Sequence, residues 1–271
     1  MQTVLLPSGA RIAYDDLGPQ VKIPVFLVHG HPFDRSMWGP QAGWLARNGY
    51  RAVVPDLRGY GESTGPAVSG LEDFAGDLVG LADRLGIDRF VLGGLSMGGQ
   101  IVMQTVRDYP ERIAALLLAD TFAEPETDEG KAARNQAADR VLAEGMTAYA
   151  DELLPKMVSP GTFRENPEVT EHVRKMMRNA PAAGAAAALR ARAKRPDYRD
   201  SLKQVAVPTL VAVGSEDEFT PVADAQLLHQ LVDGSKLAVL DGAGHLPNLE
   251  RAAEFNDVFG RFLDQDHAEE R

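Results

Sequence analysis

The chain has 271 residues, 44% of them hydrophobic, which is enough to bury the core of one α/β domain carrying an insertion. Its 28 basic residues against 39 acidic ones give a net charge of −11. That charge repels phosphate backbones and anionic lipid surfaces, and so argues against nucleic-acid and membrane-surface partners. The absence of cysteine excludes disulfides, thiolate catalysis and cysteine-ligated metals.

In chain order, Met1 to Gly9 has neither a basic stretch nor a long apolar run, so no signal peptide is read there. No apolar run approaches the roughly 18 residues needed to span a bilayer, and a soluble, cytoplasmic protein is expected. Ile12 to Tyr14 reads as a weak strand after the Ser8-Gly9 turn. Val25 to Val28 is a continuous apolar run, as in a strand buried on both faces. Trp38 to Asn48 reads as a helix stopped by Gly49, and Ala52 to Val54 as a strand stopped by Pro55. Leu71, Phe74, Leu78, Leu81 and Leu85 have helical spacing. Phe90 to Leu92 is the third buried strand, Gln100 to Tyr109 the helix that follows, and Ile113 to Leu118 the fourth strand.

The pattern changes after Thr121. Residues 122–203 contain no buried strand run and are helical, charged and alanine-rich, most of all at Ala185 to Ala188. Strands return at Pro208 to Val213 and Leu237 to Leu240, followed by an amphipathic helix from Leu249 to Leu263 and a polar tail, 264–271, expected to fray. Repeated strand-then-helix units imply a mostly parallel sheet with helices on both faces. Residues 1–121 and 204–271 are read as its core, and 122–203 as a helical lid inserted over one end.

Gly94-Leu95-Ser96-Met97-Gly98 matches G-x-S-x-G between a strand and a helix, the setting in which a serine stands at the apex of a strained turn. A second match, Gly61-Glu62-Ser63-Thr64-Gly65, lacks that setting, since Gly65-Pro66 stands where a helix should start. A serine hydroxyl needs a base, and the base an orienting acid. Of six histidines, His245 follows the last strand, on the sheet edge that also carries Ser96, whereas His172, His229 and His267 read as solvated. Asp217 follows the Leu210 to Val213 strand and is the candidate acid, with Asp120, after the fourth strand, as its rival. The order Ser96, Asp217, His245 is nucleophile, acid, base. The oxyanion hole needs two backbone N–H groups. Met97 supplies one, and His31 is the better donor in the loop after Val28, because Pro32 has none. His29 and His31, with no nearby carboxylate cluster, do not make a metal site, and His29 reads as a turn residue.

At this point the sequence resembles the α/β-hydrolase superfamily over nearly its whole length. The matching segments are His29-Gly30-His31-Pro32, Pro55 to Ser63, Gly94 to Gly99, Val213-Gly214 through Asp217 to Pro221, and Gly242-Ala243-Gly244-His245. Within it, the chain looks most like 3-oxoadipate enol-lactonases and similar small esterases, on Gly94 to Gly99, Ala119-Asp120-Thr121 and Arg195-Pro196-Asp197. The resemblance implies the α/β-hydrolase fold with a Ser-His-Asp triad. It also implies a structural role for Pro55 to Ser63, so Arg58 and Glu62 are not read as catalytic. One departure is His31, where the family commonly has a bulky apolar residue. Serine at 96 argues against the dehalogenases and epoxide hydrolases of this fold, which use aspartate.

The expectation is therefore a carboxylic ester hydrolase, an esterase or lactonase, acting on a small-molecule ester or lactone through an acyl-enzyme with no cofactor or metal. Phe33, Trp38 and Phe122 are candidate pocket walls, with core packing as the alternative for Trp38. Arg134, Arg190 and Arg192 read as a solvated helix face, with attraction of a substrate carboxylate as the alternative. Carbon–carbon bond hydrolysis, perhydrolysis and a ligand receptor on the same fold remain open, and oligomeric state is not legible in the sequence.

Overall fold

The computed structural model describes residues 1–20 and 22–266. Eight strands form one sheet: β1 (Gln2–Leu5), β2 (Arg11–Leu17), β3 (Val25–Val28), β4 (Ala52–Pro55), β5 (Phe90–Leu95), β6 (Ile113–Ala119), β7 (Thr209–Gly214) and β8 (Lys236–Leu240). Their spatial order is β1-β2-β4-β3-β5-β6-β7-β8. β1 and β2 are antiparallel to their neighbours, and every pairing from β4 to β8 is parallel.

The uninterrupted apolar runs have a direct physical cause. Every residue of β3 to β7 is buried, because helices cover both faces of the sheet. Alternate residues of each strand then feed alternate cores. Phe26, Val28, Leu92, Leu116, Leu118 and Val211 pack on one side with Phe74 and Leu78 of α2 (Leu71–Arg84; α1 is Gly39–Arg47) and Ile101 of α3 (Met97–Asp108). Val25, Leu27, Leu117, Leu210 and Ala212 pack on the other side with Leu45 of α1 and with Phe255 and Phe259 of the C-terminal helix, Ala252–Asp266.

Several boundaries differ from the sequence reading. β1 escapes it because an exposed edge strand carries no buried run. The helix expected over Trp38 to Asn48 is α1, Gly39–Arg47, and Trp38 itself closes a 3-10 turn, Arg35–Trp38, that leads into it. The segment expected to fray is helical as far as Asp266, and Asp264 accepts a 2.6 Å hydrogen bond from the Tyr50 hydroxyl. His267 lies outside the described residues. No described helix is long and apolar enough to cross a membrane.

Between β6 and β7 run α4 (Asp128–Glu144), α5 (Met146–Met157), α6 (Pro160–Glu165), α7 (Pro167–Asn179), α8 (Ala182–Ala193) and α9 (Arg199–Leu202). The alanine bias of α8 reflects crowding on more than one side. Ala185, Ala188 and Ala191 pack into the main core, while Ala186 packs with Ala138 of α4. Gly184 touches the backbone of Gly59 in the β4–α2 loop, where an added Cβ would lie 1.8 Å from the Gly59 carbonyl oxygen. After β7 come α10 (Val222–Leu231), α11 (Pro247–Glu250) and α12 (Ala252–Asp266).

Helix propensity alone would have Gly184→Ala stabilise the protein by about 1 kcal/mol. The contact with Gly59 reverses the sign, and the substitution is expected to destabilise by about 1–3 kcal/mol, as overpacking does. Urea unfolding with an unchanged m-value checks it.

Candidate active site

The parallel strands bring the chemistry to one edge. His31 follows β3, Ser96 follows β5, Asp120 follows β6, Asp217 follows β7 and His245 follows β8, all at carboxyl ends. Ser96 sits between β5 and α3 with φ 59° and ψ −117°, a conformation costing a non-glycine residue on the order of 1–3 kcal/mol. Its flanking glycines are required by close approach. A Cβ on Gly98 would lie 2.2 Å from the Val28 carbonyl oxygen, and one on Gly94 would lie 2.4 Å from the Gly98 backbone. The turn is also clamped by hydrogen bonds from Ser96 N–H to the Ala119 carbonyl (2.9 Å) and from the Thr121 hydroxyl to the Ser96 carbonyl (2.9 Å).

Ser96 and His245 line one cavity of about 610 Å³, together with His31, Phe122, Tyr149 and Arg192. Among the described residues no hydrogen bond joins the Ser96 hydroxyl to His245, a contact that in ligand-free hydrolases commonly tightens only in complex with substrate. His245 Nδ1 is 2.8 Å from Asp217 Oδ2. Asp217 also accepts from the N–H groups of Phe219 (2.8 Å) and Thr220 (3.2 Å) and from the Thr220 hydroxyl. Burial pushes this carboxyl up, but the charge of His245 and the hydrogen bonds from His245, Thr220 and Phe219 outweigh it and hold Asp217 below the ordinary value.

Asp120, the rival acid, has a different environment. It is buried at φ 45°, and its Oδ1 accepts from Gly214 N–H (2.9 Å), while Oδ2 receives no hydrogen bond from any described residue. Burial, then the charge of Asp217, push its carboxyl well above the usual range. One oxygen from each aspartate and a His245 nitrogen lie within 4.8 Å of one another, a possible metal donor set. However, the Asp217 oxygens already accept four hydrogen bonds, so the set offers a cation few free lone pairs.

Met97 follows the serine in the chain, His31 lines the same cavity as Ser96, and the His31 N–H has no backbone acceptor among the described residues. The His31 ring is buried between two tyrosine hydroxyls, Tyr60 (2.7 Å from Nδ1) and Tyr149 (3.1 Å from Nε2). His29 is a turn residue: its Nε2 accepts from Leu57 N–H (3.0 Å), so Nδ1 carries the proton and donates to the Gly30 carbonyl (2.8 Å). Ser63 is buried in the β4–α2 loop, accepting from Ala13 N–H and donating to the Asp56 carbonyl, each 2.8 Å away. Arg58 makes a buried two-point ion pair with Asp77.

Two of the expected pocket walls are not there. Phe33 and Trp38 are 1% and 0% exposed, in the core beneath α1, with Trp38 against Phe255, because the chain turns into the 3-10 segment and carries both rings away from the cavity. Phe122 does line the cavity, with Arg195 over its ring at 4.5 Å. The reading of Arg192 as a solvated face is also corrected. It is 8% exposed and lines the cavity, whereas Arg190 does pair with Asp139 at the surface.

Sequence reasoning missed Tyr149, Phe219 and Glu250. The Phe219 ring is 5.1 Å from that of His245. Buried Glu250 accepts from Gly244 N–H (2.9 Å) and Leu246 N–H (3.3 Å), on either side of His245, and its other oxygen accepts from Ser159 N–H (2.7 Å) at the start of α6. A glutamate five residues past a histidine loop was the available signal.

A carboxyl held above its unfolded value of 3.8 lends stability that is full below about that pH and lost as pH rises toward its folded value. Asp120→Asn removes this dependence. The variant's stability relative to the parent is therefore expected to rise between pH 4 and pH 7, as read by urea unfolding at several pH values.

Comparisons with known proteins agree with this geometry. Residues 23–252 match the alpha/beta hydrolase fold family. The chain is 32% identical over 222 residues to 3-oxoadipate enol-lactonase 2 of Acinetobacter baylyi, covering 82% of this chain and 81% of that one. Among solved structures, it is similar to a thermophilic esterase from Thermogutta terrifontis with malate bound, at TM-score 0.95 and 39% identity, covering 98% and 100% of the two chains. It is also similar to the enol-lactonase from Burkholderia xenovorans LB400, at TM-score 0.89 and 29% identity, covering 97% and 100%. With its eight-stranded sheet, its serine at the turn after β5 and a match across most of its length, the chain belongs to the alpha/beta hydrolase fold family.

Proposed function

We infer that the protein is a carboxylic ester hydrolase that cleaves a small ester or lactone by acyl transfer to Ser96. One observation carries this reading: a serine held at positive φ opens into the same cavity as a histidine whose Nδ1 is paired to a buried carboxylate. Its kinship with the enol-lactonase and esterase relatives supports the same class.

In this mechanism His245 receives the Ser96 proton on Nε2, because Nδ1 is taken by Asp217. Ionised Asp217 fixes that tautomer and stabilises the imidazolium as Ser96 Oγ attacks the carbonyl carbon. The N–H groups of His31 and Met97 take up the oxyanion, each such donor being worth roughly 10²–10³ in rate. His245 then returns its proton to the leaving alcohol, or to the ring oxygen of a lactone. Water, deprotonated by the same histidine, clears the acyl-enzyme. The described residues of 1–121 and 204–266 act as the rigid base, and 122–203 as a lid whose Phe122, Tyr149 and Arg192 shape the pocket.

A fluorophosphonate probe with mass-spectrometric mapping tests the assignment. Stoichiometric labelling is expected at Ser96 and is lost in His245→Ala, while Ser96→Ala lowers kcat by at least roughly ten-thousand-fold in a folded protein. Ser63→Ala should keep the labelling and cost about 1–3 kcal/mol in stability, since it leaves the Ala13 N–H unpaired. Full turnover by Ser96→Ala would refute the reading.

A further inference from the structure

The mechanism above uses the backbone N–H of His31 and leaves its side chain without a role. The peptide that carries this N–H is fixed from one side by the nucleophile turn. An added Cβ on Gly30 would lie 2.9 Å from the Leu95 carbonyl oxygen and 3.2 Å from Ser96 Cβ. Contact of that kind sets how near the loop comes to the serine, but not how the peptide plane is turned. An oxyanion donor works only when its N–H is aimed at the place where the charge develops.

The His31 ring supplies a second hold. It is buried, and each of its nitrogens meets a tyrosine hydroxyl: Tyr60 is 2.7 Å from Nδ1 and Tyr149 is 3.1 Å from Nε2. Both tyrosine rings also pack edge-on against it, with centroids 6.2 Å and 5.8 Å away. Burial, then the charges of Arg192 and Arg134, lower the ring's pKa well below the ordinary value, so at neutral pH it has one N–H and one lone pair. Tyr60 is buried, and among the described residues its hydroxyl meets only His31. Tyr60 therefore donates to Nδ1, and Nε2–H donates to Tyr149. Hydrogen bonds at opposite ends of a planar ring fix its torsions, which an apolar side chain at this position could not do.

The two tyrosines come from different parts of the fold. Tyr60 belongs to the β4–α2 loop, where its N–H donates to the Leu57 carbonyl (2.9 Å), its carbonyl accepts from Ser63 N–H (2.9 Å) and its ring packs edge-on against His29. Tyr149 belongs to α5, among the inserted helices. Just past the other end of α5, Ser159 N–H donates to Glu250, which also holds the loop around His245. α5 is therefore attached near its two ends to the loops that carry His31 and His245.

We propose that Tyr149 and Tyr60 are positioning residues for the oxyanion-hole N–H of His31, so that the seating of α5 on the sheet domain aims this donor at the carbonyl under attack. This rests on the hydrolase reading above and deepens it. Stabilisation of the transition state becomes contingent on the covering helices, and Tyr149 acts through the His31 ring rather than on the substrate.

The test measures kcat and KM for methyl butyrate, together with inhibition by butyl trifluoromethyl ketone, which forms a tetrahedral oxyanion on a serine, and by butyl methyl ketone, which does not. Tyr149→Phe and Tyr60→Phe remove only a hydroxyl. Each should lower kcat by about tenfold with KM little changed, because an oxyanion contact is made in the transition state and a small misplacement there is costly. Affinity for the trifluoromethyl ketone should fall by the same factor, and affinity for the methyl ketone should hold. His31→Leu keeps the N–H and removes the ring, so in that background neither tyrosine substitution should lower kcat further. Stoichiometric fluorophosphonate labelling of Ser96 in every variant reports a folded site. Tyr149 lines the cavity, so its variant carries the test if Tyr60→Phe does not fold. Unchanged kcat in both variants, or a rise in KM alone, overturns the proposal. A fall in kcat from one folded variant only overturns the role of the other residue. A fall that persists in the His31→Leu background overturns the route through the ring. Absence of labelling in the parent protein overturns the hydrolase reading itself, whereas labelling with kcat unmoved by either substitution overturns the positioning role alone.

Discussion

The site depends on a backbone contact with no room for a side chain. Gly98, at the start of α3, presses on the Val28 carbonyl at the end of β3, and Gly94 presses on Gly98. Two strands and a helix thereby meet at nearly the smallest separation that backbone allows, and Ser96 is left between them at positive φ. The strain is held because neighbours over-determine it. Ala119 of β6 accepts the Ser96 N–H, Thr121 donates to its carbonyl, and strands buried on both faces keep all three segments in register. The position of Ser96 is thus a property of the sheet as a whole.

Around that fixed point, electrostatics separates groups that chemistry alone does not. Asp120 and Asp217 both stand at strand ends beside His245, yet the first carboxyl is pushed above its ordinary value and the second is held below it. The difference lies in donors: Asp217 receives two backbone N–H groups, a hydroxyl and the imidazole, while Asp120 receives one backbone N–H. The same logic applies among the arginines. Arg58, Arg134 and Arg195 each have a carboxylate and serve the architecture, whereas Arg192 has, among the described residues, a single neutral acceptor and lines the cavity.

Legibility in the sequence followed burial. The inner strands were readable because residues buried on both faces leave unbroken apolar runs, and Ser96 and His245 were readable because their turns need glycines at fixed offsets. β1 was not, because an exposed edge has no such constraint. Phe33 and Trp38 misled because an aromatic residue just after a strand points to a pocket or to a core according to a loop path that local sequence does not encode. Arg192 misled for a related reason: α8 is so rich in alanine that its buried and exposed sides look alike in sequence, and only packing against α4 and Gly59 shows which way each arginine faces. Tyr149 gained its place from His31, 118 residues away, a separation over which no local pattern operates.

Glu250 joins two parts of the chain that their order in the sequence presents as separable modules. One carboxylate oxygen holds the loop around His245, and the other holds Ser159, in the segment between β6 and β7. An added Cβ on Gly244 would lie 2.5 Å from the Ser159 nitrogen, so the two backbones are also in direct contact there. The helices above the sheet are therefore fastened at the histidine itself. Transplanting them from a relative, by recombination in nature or by a protein engineer, would also transplant half of the mounting on which the histidine rests. The seam for any such exchange lies outside Ser159, and the stretch from Val158 to Ser159 is inherited with the His245 loop rather than with the helices that surround it.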